Sequence, residues 1–364
     1  MAVRSSLLAL LSLCAGGINL AHTQPIHTTT SHDREALIAA TVHAKVVYPS
    51  YGQARAIVVV AHCTMCWGDW YPHLAELADD QKLLFVFVNS SPIDSVLHFT
   101  DLSNGAPHTW FSGYAKDLSQ VLRDIRNLTA NDESSQLYGK LESDAPALAM
   151  GHSLGGAGGL IATSEDEAFD AAFVLSPCMI HTEDLSAITK PIFVLSATFD
   201  GICPPRLVGR PYYDALVRAP TVLYAELVGG THCNFMDVSG TDWELGASLG
   251  IPEIANGACS GVERVIGGLM GEPLTQDYWL DHQEQLALTV RYVGLFLDAA
   301  LFGNRTYVSV LEELQQDEEA GILSNVQASL EPRDDNPLAG RPNGYQSPIT
   351  SQKYLALTYE SFCS

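Results

Sequence analysis

Three residues of this chain have the types and the order that acyl transfer requires. Gly151-His152-Ser153-Leu154-Gly155 matches the pattern G-x-S-x-G. Asp200 follows in Thr198-Phe199-Asp200-Gly201, and His232 in Gly229-Gly230-Thr231-His232-Cys233. A serine hydroxyl is a weak nucleophile at its ordinary pKa, so it needs a base and a group that orients the base. Serine, acid and histidine in that order, each about one βα unit from the next, supply all three roles. Asp184 and Asp214 are poorer acids because neither sits at a strand end. His62 does, but too early in the chain, and His98, His108, His181 and His282 fall in loops or on solvated helices.

A developing oxyanion also needs two N–H donors. The amide of Leu154, directly after the nucleophile, is one. By position the other is the amide of Thr64 in His62-Cys63-Thr64, with Cys63 as the alternative. Trp67, Trp70, Trp110 and Phe111, with His152 and Phe235, are candidates for lining the acyl or alcohol pocket. This chemistry requires no metal and no organic cofactor.

The loop that carries Thr64 is also a CxxC, Cys63-Thr64-Met65-Cys66, after an apolar strand and before a helix. That pattern offers a second function, thiol–disulfide exchange. It leaves the serine, aspartate and histidine unexplained, and the chain is far longer than one thioredoxin unit. A zinc site is disfavoured because the further pair of ligands is missing. A catalytically silent binding protein is a third class.

The elements that must position these residues alternate along the chain. Strand-like runs are Ala40 to Tyr48, Ala56 to Ala61, Leu83 to Asn89, Ala147 to Met150, Ala171 to Leu175, Ile192 to Ala197 and Val222 to Leu227. Several are continuous Val, Ile, Leu and Phe, as expected of strands buried on both faces. Helical stretches lie near Tyr71 to Asp80, Tyr114 to Leu128, Leu154 to Ser164 and Pro211 to Arg218. The reading is α/β, a doubly wound, mostly parallel sheet. Ser153 falls between a short strand and a helix rich in Gly and Ala, the setting a nucleophile elbow needs. A last helix is marked by Leu286, Val290, Val293, Leu297 and Leu301, and Gly303 ends it. The hydrolase domain is expected over residues 33–305, with an insertion at about 234–281. An acidic, Pro-containing extension, poorly ordered from about Glu312, is expected over 306–364.

Of 364 residues, 42 are acidic and 19 basic, giving a net charge of −23. Such a chain is repelled by phosphate backbones and anionic headgroups, which argues against nucleic acid as a partner and favours neutral esters. Residues 1–23 read as a secretory signal: Arg4, an apolar run from Leu7 to Leu13, then small residues. That run is too short to span a bilayer. Seven cysteines remain after it, and in an oxidising compartment they pair with one left over. The sequons at Asn89, Asn127 and Asn304 fit a secreted surface.

At these residues the chain resembles the α/β-hydrolase superfamily. Within it, the similarity is to the dienelactone-hydrolase-like group of polyester hydrolases and cutinases, acetylhydrolases and chlorophyllases. The carrying segments are Ala149 to Gly156, Pro191 to Asp200 with Pro204-Pro205, and Glu226 to Cys233. The resemblance implies Ser153 as nucleophile, His232 as base, Asp200 as orienter, and oxyanion donors at Leu154 and Thr64. It is specific for the fold and the triad and not for the substrate, which is expected to be a small-molecule or lipid-like ester. Two features depart from the group: Cys63 stands where Gly is usual, and the stretch after His232 is long. Cysteine pairing stays open between Cys178–Cys203 with Cys233–Cys259, and Cys203–Cys233.

Overall fold

The computed structural model describes residues 35–39, 43–63, 66–90, 108–178, 185–237 and 279–333. These lie in one unit, Arg34–Pro337. Residues 1–23, expected to be a secretory signal, lie outside the described residues, as do Thr64, Asp184, residues 238–278 of the expected insertion and the chain after Arg333.

The described strands are β1 (Glu35–Ala39), β2 (His43–Val47), β3 (Ala56–Ala61), β4 (Leu83–Asn89), β5 (Ala147–His152), β6 (Ala171–Leu175), β7 (Ile192–Ala197), β8 (Val222–Leu227) and β9 (Leu323–Ser329). They form one sheet in the order β1-β2-β4-β3-β5-β6-β7-β8-β9. From β4 to β8 every pairing is parallel, while β1, β2 and β9 run antiparallel at the two edges. The helices are α1 (Leu77–Asp80), α2 (His108–Asn131), α3 (Leu154–Glu165), α4 (Gly209–Ala215), α5 (His282–Ala300) and α6 (Tyr307–Glu319).

Every residue of β3, β5, β6, β7 and β8 is buried, which is why those strands read as unbroken apolar runs. Successive residues still serve different cores. Ile57, Val59 and Ala61 pack with Leu118 and Leu122 of α2 and Leu160 of α3. Ala56, Val58 and Val60 pack with Leu77, Tyr292 and Phe296 on the opposite face.

Two expectations need correction. The run Ala40 to Tyr48 does contain one strand, β2, but the strand before it was not expected: β1 pairs antiparallel with β2, Glu35 facing Val47 and Ala39 facing His43. Among the described residues, 306–333 are not a poorly ordered tail. Thr306 caps α6, its hydroxyl accepting from the Ser309 amide at 3.1 Å. Val310, Leu314 and Leu323 are buried in the core, and β9 pairs with β8. The acidic face of α6 that suggested solvation is held by cations: Arg291 bonds Asp317 at 2.6 Å, and Arg305 pairs with Glu313.

Candidate active site

The carboxyl ends of β5, β7 and β8 bring the three singled-out residues to one edge of the sheet. Ser153 has φ 60° and ψ −123°, a left-handed conformation that a residue with a Cβ adopts only when its surroundings impose it. Here they do. Its amide bonds the Leu175 carbonyl at 3.0 Å, and its own carbonyl accepts from the amides of Ala157 (3.2 Å) and Cys178 (3.1 Å). The flanking glycines are a steric requirement: a Cβ on Gly151 would sit 2.2 Å from the Gly155 carbonyl oxygen. Ser153 then stands at the amino end of α3, where the helix dipole favours negative charge.

His232 and Asp200 meet directly. Nδ1 of His232 lies 2.7 Å from Oδ2 of Asp200, and both residues are almost wholly buried. The other carboxylate oxygen accepts from the amides of Ile202 (2.9 Å) and Cys203 (2.6 Å), so Asp200 is oriented at both oxygens. His232 is steadied from the helix side. The fully buried Gln285 of α5 accepts from the Thr231 amide at 3.0 Å and donates to the Thr231 carbonyl at 2.8 Å.

The other singled-out residues divide. The Leu154 amide opens α3 beside Ser153. Thr64 lies outside the described residues, as do the side chains of Trp110 and Phe111. Trp67 and Trp70 are half-buried, and the Trp70 carbonyl accepts from the Asp237 amide at 2.8 Å. His152 and Phe235 are fully buried against each other, their rings 5.5 Å apart. The His152 ring also packs 4.5 Å from that of His232. Burial, and next the neighbouring His232, push the His152 pKa well below its usual value, keeping the ring neutral beside the base. Burial lowers His62 likewise; its Nδ1 contacts the Cys63 carbonyl oxygen, which removes it as a base.

Sequence reasoning missed Tyr71. Its fully buried hydroxyl accepts from the Cys63 amide at 3.2 Å and meets His152 Nδ1 at 2.9 Å. With the amide donating to it, the phenol donates its own proton to Nδ1. Gln285 was missed as well, although a Gln and a Thr on the apolar side of a helix are a signal that buried polar work is being done. The cysteines are paired as Cys63–Cys66 and Cys178–Cys203. Cys203 is bonded to Cys178, so the Cys203–Cys233 alternative falls; Cys233 is disulfide-bonded too, and the expected Cys233–Cys259 pairing lies outside the described residues. Cys178, Cys203 and His232 come close enough to hold a metal, but the two sulfurs are bonded to each other. A cavity of about 300 Å³ lined by His73, Glu76, Asp237 and Leu286 contains none of the three site residues.

Residues 112–248 match the family model described as PETase, PET hydrolase-like. The fold is that of the α/β-hydrolases. Cutinase 2 of Thermobifida cellulosilytica is 34% identical over 102 residues, which is 28% of this chain and 38% of that protein. Cutinase 1 of the same organism is 33% identical over 114 residues, covering 31% and 43%. The bis(hydroxyethyl) terephthalate hydrolase of Streptomyces coelicolor is 31% identical over 113 residues, covering 31% and 35%. The chain thus spans less than half the length of these relatives. The residues that match the family model include Ser153, Asp200 and His232. Among the described residues no helix is long and apolar enough to cross a membrane.

Proposed function

We propose that this protein is a secreted serine carboxylic-ester hydrolase that works through an acyl-enzyme on a neutral ester. Ser153 attacks the ester carbonyl as His232 takes its proton. Asp200 holds the imidazole in the tautomer whose Nε2 accepts that proton and favours the imidazolium that forms. The amides of Leu154 and Thr64 receive the oxyanion. His232 then protonates the leaving alcohol and later activates water to release the acid.

The observation that carries this reading is the pairing of a strained, positive-φ Ser153 with a buried His232–Asp200 contact of 2.7 Å. The cutinases and the terephthalate-ester hydrolase among its relatives support a carboxylic ester as the bond cleaved. Two disulfides among the described residues support an oxidising compartment and hence secretion. A thiol–disulfide exchange role draws less support, because both sulfurs of Cys63–Cys66 belong to buried residues.

The test is Ser153→Ala. Hydrolysis of a short p-nitrophenyl ester disappears and covalent labelling by a fluorophosphonate is lost, while circular dichroism and melting temperature are retained. Unchanged turnover in a folded variant sinks the assignment.

A further inference from the structure

The Cys178–Cys203 bond joins the loop after β6 to the loop after β7. Each half-cystine is also one hydrogen bond from a residue of the proposed triad. The Cys178 amide donates to the Ser153 carbonyl at 3.1 Å, and the Cys203 amide donates to Oδ1 of Asp200 at 2.6 Å. Sγ of Cys178 lies 3.5 Å from Oγ of Ser153. A ring nitrogen of His232 lies within 4.8 Å of both sulfurs. The bond thus touches or braces nucleophile, acid and base together.

We propose that Cys178 and Cys203 are positioning residues of the ester-hydrolysis site. Their disulfide holds the nucleophile elbow and the acid loop in register, and its oxidation state sets the rate of turnover. This rests on the ester-hydrolase reading above.

The strain at the site explains why a brace is needed. Ser153 sits at φ 60°, and Ser176, two residues before Cys178, at φ 37°. Two neighbouring non-glycine residues in left-handed backbone relax unless something over-determines them. The disulfide is one such constraint, and it ties that strained turn to the segment that hydrogen-bonds Asp200. Bonded sulfurs lie about 2 Å apart, while two thiols need van der Waals separation, roughly 1.5 Å more. Both cysteines are at most 4% exposed. The added separation therefore passes to the backbone amides that hold Ser153 and Asp200 rather than to solvent. A displacement near 1 Å in a catalytic constellation costs about a hundredfold in rate.

Opening the bond is a two-electron reduction. A phosphine attacks one sulfur, expelling the other as thiolate, and water attacks phosphorus to release the second sulfur. Disulfide, phosphine and water thus become two thiols and phosphine oxide, the two protons on sulfur coming from water.

The experiment compares wild type with Cys178→Ala/Cys203→Ala, assayed on a p-nitrophenyl ester well below the melting temperature. The expected result is a ten- to hundredfold loss of kcat, KM within about threefold, and a matching slowing of fluorophosphonate labelling. Tyr292→Phe, which deletes a buried hydroxyl bonded to Asp317 outside the site, serves as the stability control. It lowers the melting temperature and leaves kcat alone. Should the double variant not fold, folded wild type is treated with the phosphine. Alkylation and peptide mapping then relate activity to which bond has opened. Loss must track thiols at Cys178 and Cys203, and return on reoxidation. A kcat within twofold of wild type after either treatment, or a loss that Tyr292→Phe reproduces, overturns the proposal. If Ser153→Ala itself remains active, the ester-hydrolase reading fails. If Ser153→Ala is dead and the opened bond is harmless, only the brace fails.

Discussion

Gly155→Ala tests how closely two loops of the site must approach. A Cβ on Gly155 would stand 2.3 Å from the His62 carbonyl oxygen, 2.5 Å from that of Ala61 and 2.7 Å from the Ala61 carbonyl carbon. These are backbone atoms, so no side-chain rotation relieves the overlap. Ordinary carbon–oxygen contact begins near 3.4 Å, which forces α3 and the end of β3 apart by about 1 Å. That displacement separates the Leu154 amide from the loop that begins at His62 and Cys63. The expected outcome is a kcat lower by about a hundredfold on a p-nitrophenyl ester. Overpacking adds a stability loss of about 1–3 kcal/mol, read from urea unfolding. Gly159→Ala on the same helix is the counterpart. Its nearest neighbour, the Met150 carbonyl, would lie 3.7 Å away, an ordinary contact. There the change gains helix propensity, about 1 kcal/mol, and leaves kcat unchanged. If Gly155→Ala keeps kcat within threefold, or if Gly159→Ala is as damaging, the close-approach argument is wrong.

Tyr71→Phe strips the shared hydroxyl from the Cys63 amide and His152 Nδ1, leaving two buried polar groups unpaired. We expect a stability loss of about 1–3 kcal/mol by urea unfolding and a lower kcat, and a variant as stable as wild type contradicts the shared-hydroxyl geometry. His73, buried with neither ring nitrogen hydrogen-bonded, has its pKa pushed down to about 4, chiefly by burial. Its folded-state pKa lies below the unfolded one, so the unfolded chain binds the proton first. Its contribution is complete above pH 6.5 and is lost as pH falls toward 4, by up to about 3 kcal/mol. His73→Phe is therefore expected to flatten the fall of unfolding free energy between pH 7 and 4.5, and parallel curves refute the assignment.

The central strands were legible because they are buried on both faces. Period-2 alternation then vanishes, and runs such as Ala56 to Ala61 stand out as continuous apolar segments. The placement of Ser153, Asp200 and His232 was legible because each sits where a strand ends, and turn chemistry is local. The hairpin of β1 and β2 was not, since no strong turn signal separates its two halves. Nor was β9, whose partly exposed residues carry a weak pattern and whose partner β8 lies far back in the sequence. Disulfide pairing stayed open between alternatives, Cys178–Cys203 among them, because spacing along the chain does not say which cysteines end 5.6 Å apart, as the Cα atoms of that pair do. Tyr71 and Gln285 carry no motif, and their value appears only once Cys63, His152 and Thr231 are in place.

The pairing of β9 with β8 also sets an order of events in time. The strand that bears the base loop at its end has an open row of amides and carbonyls until Leu323–Ser329 arrives, and this is the last described strand to be synthesised. Glu226 of β8 then receives Asn325 at 2.8 Å and Tyr224 at 2.6 Å, a latch formed partly from the newcomer. Until that moment a nascent chain holds a sheet edge that a second nascent chain can occupy. The short connection from α6 brings the last described strand to that edge soon after its helix is made.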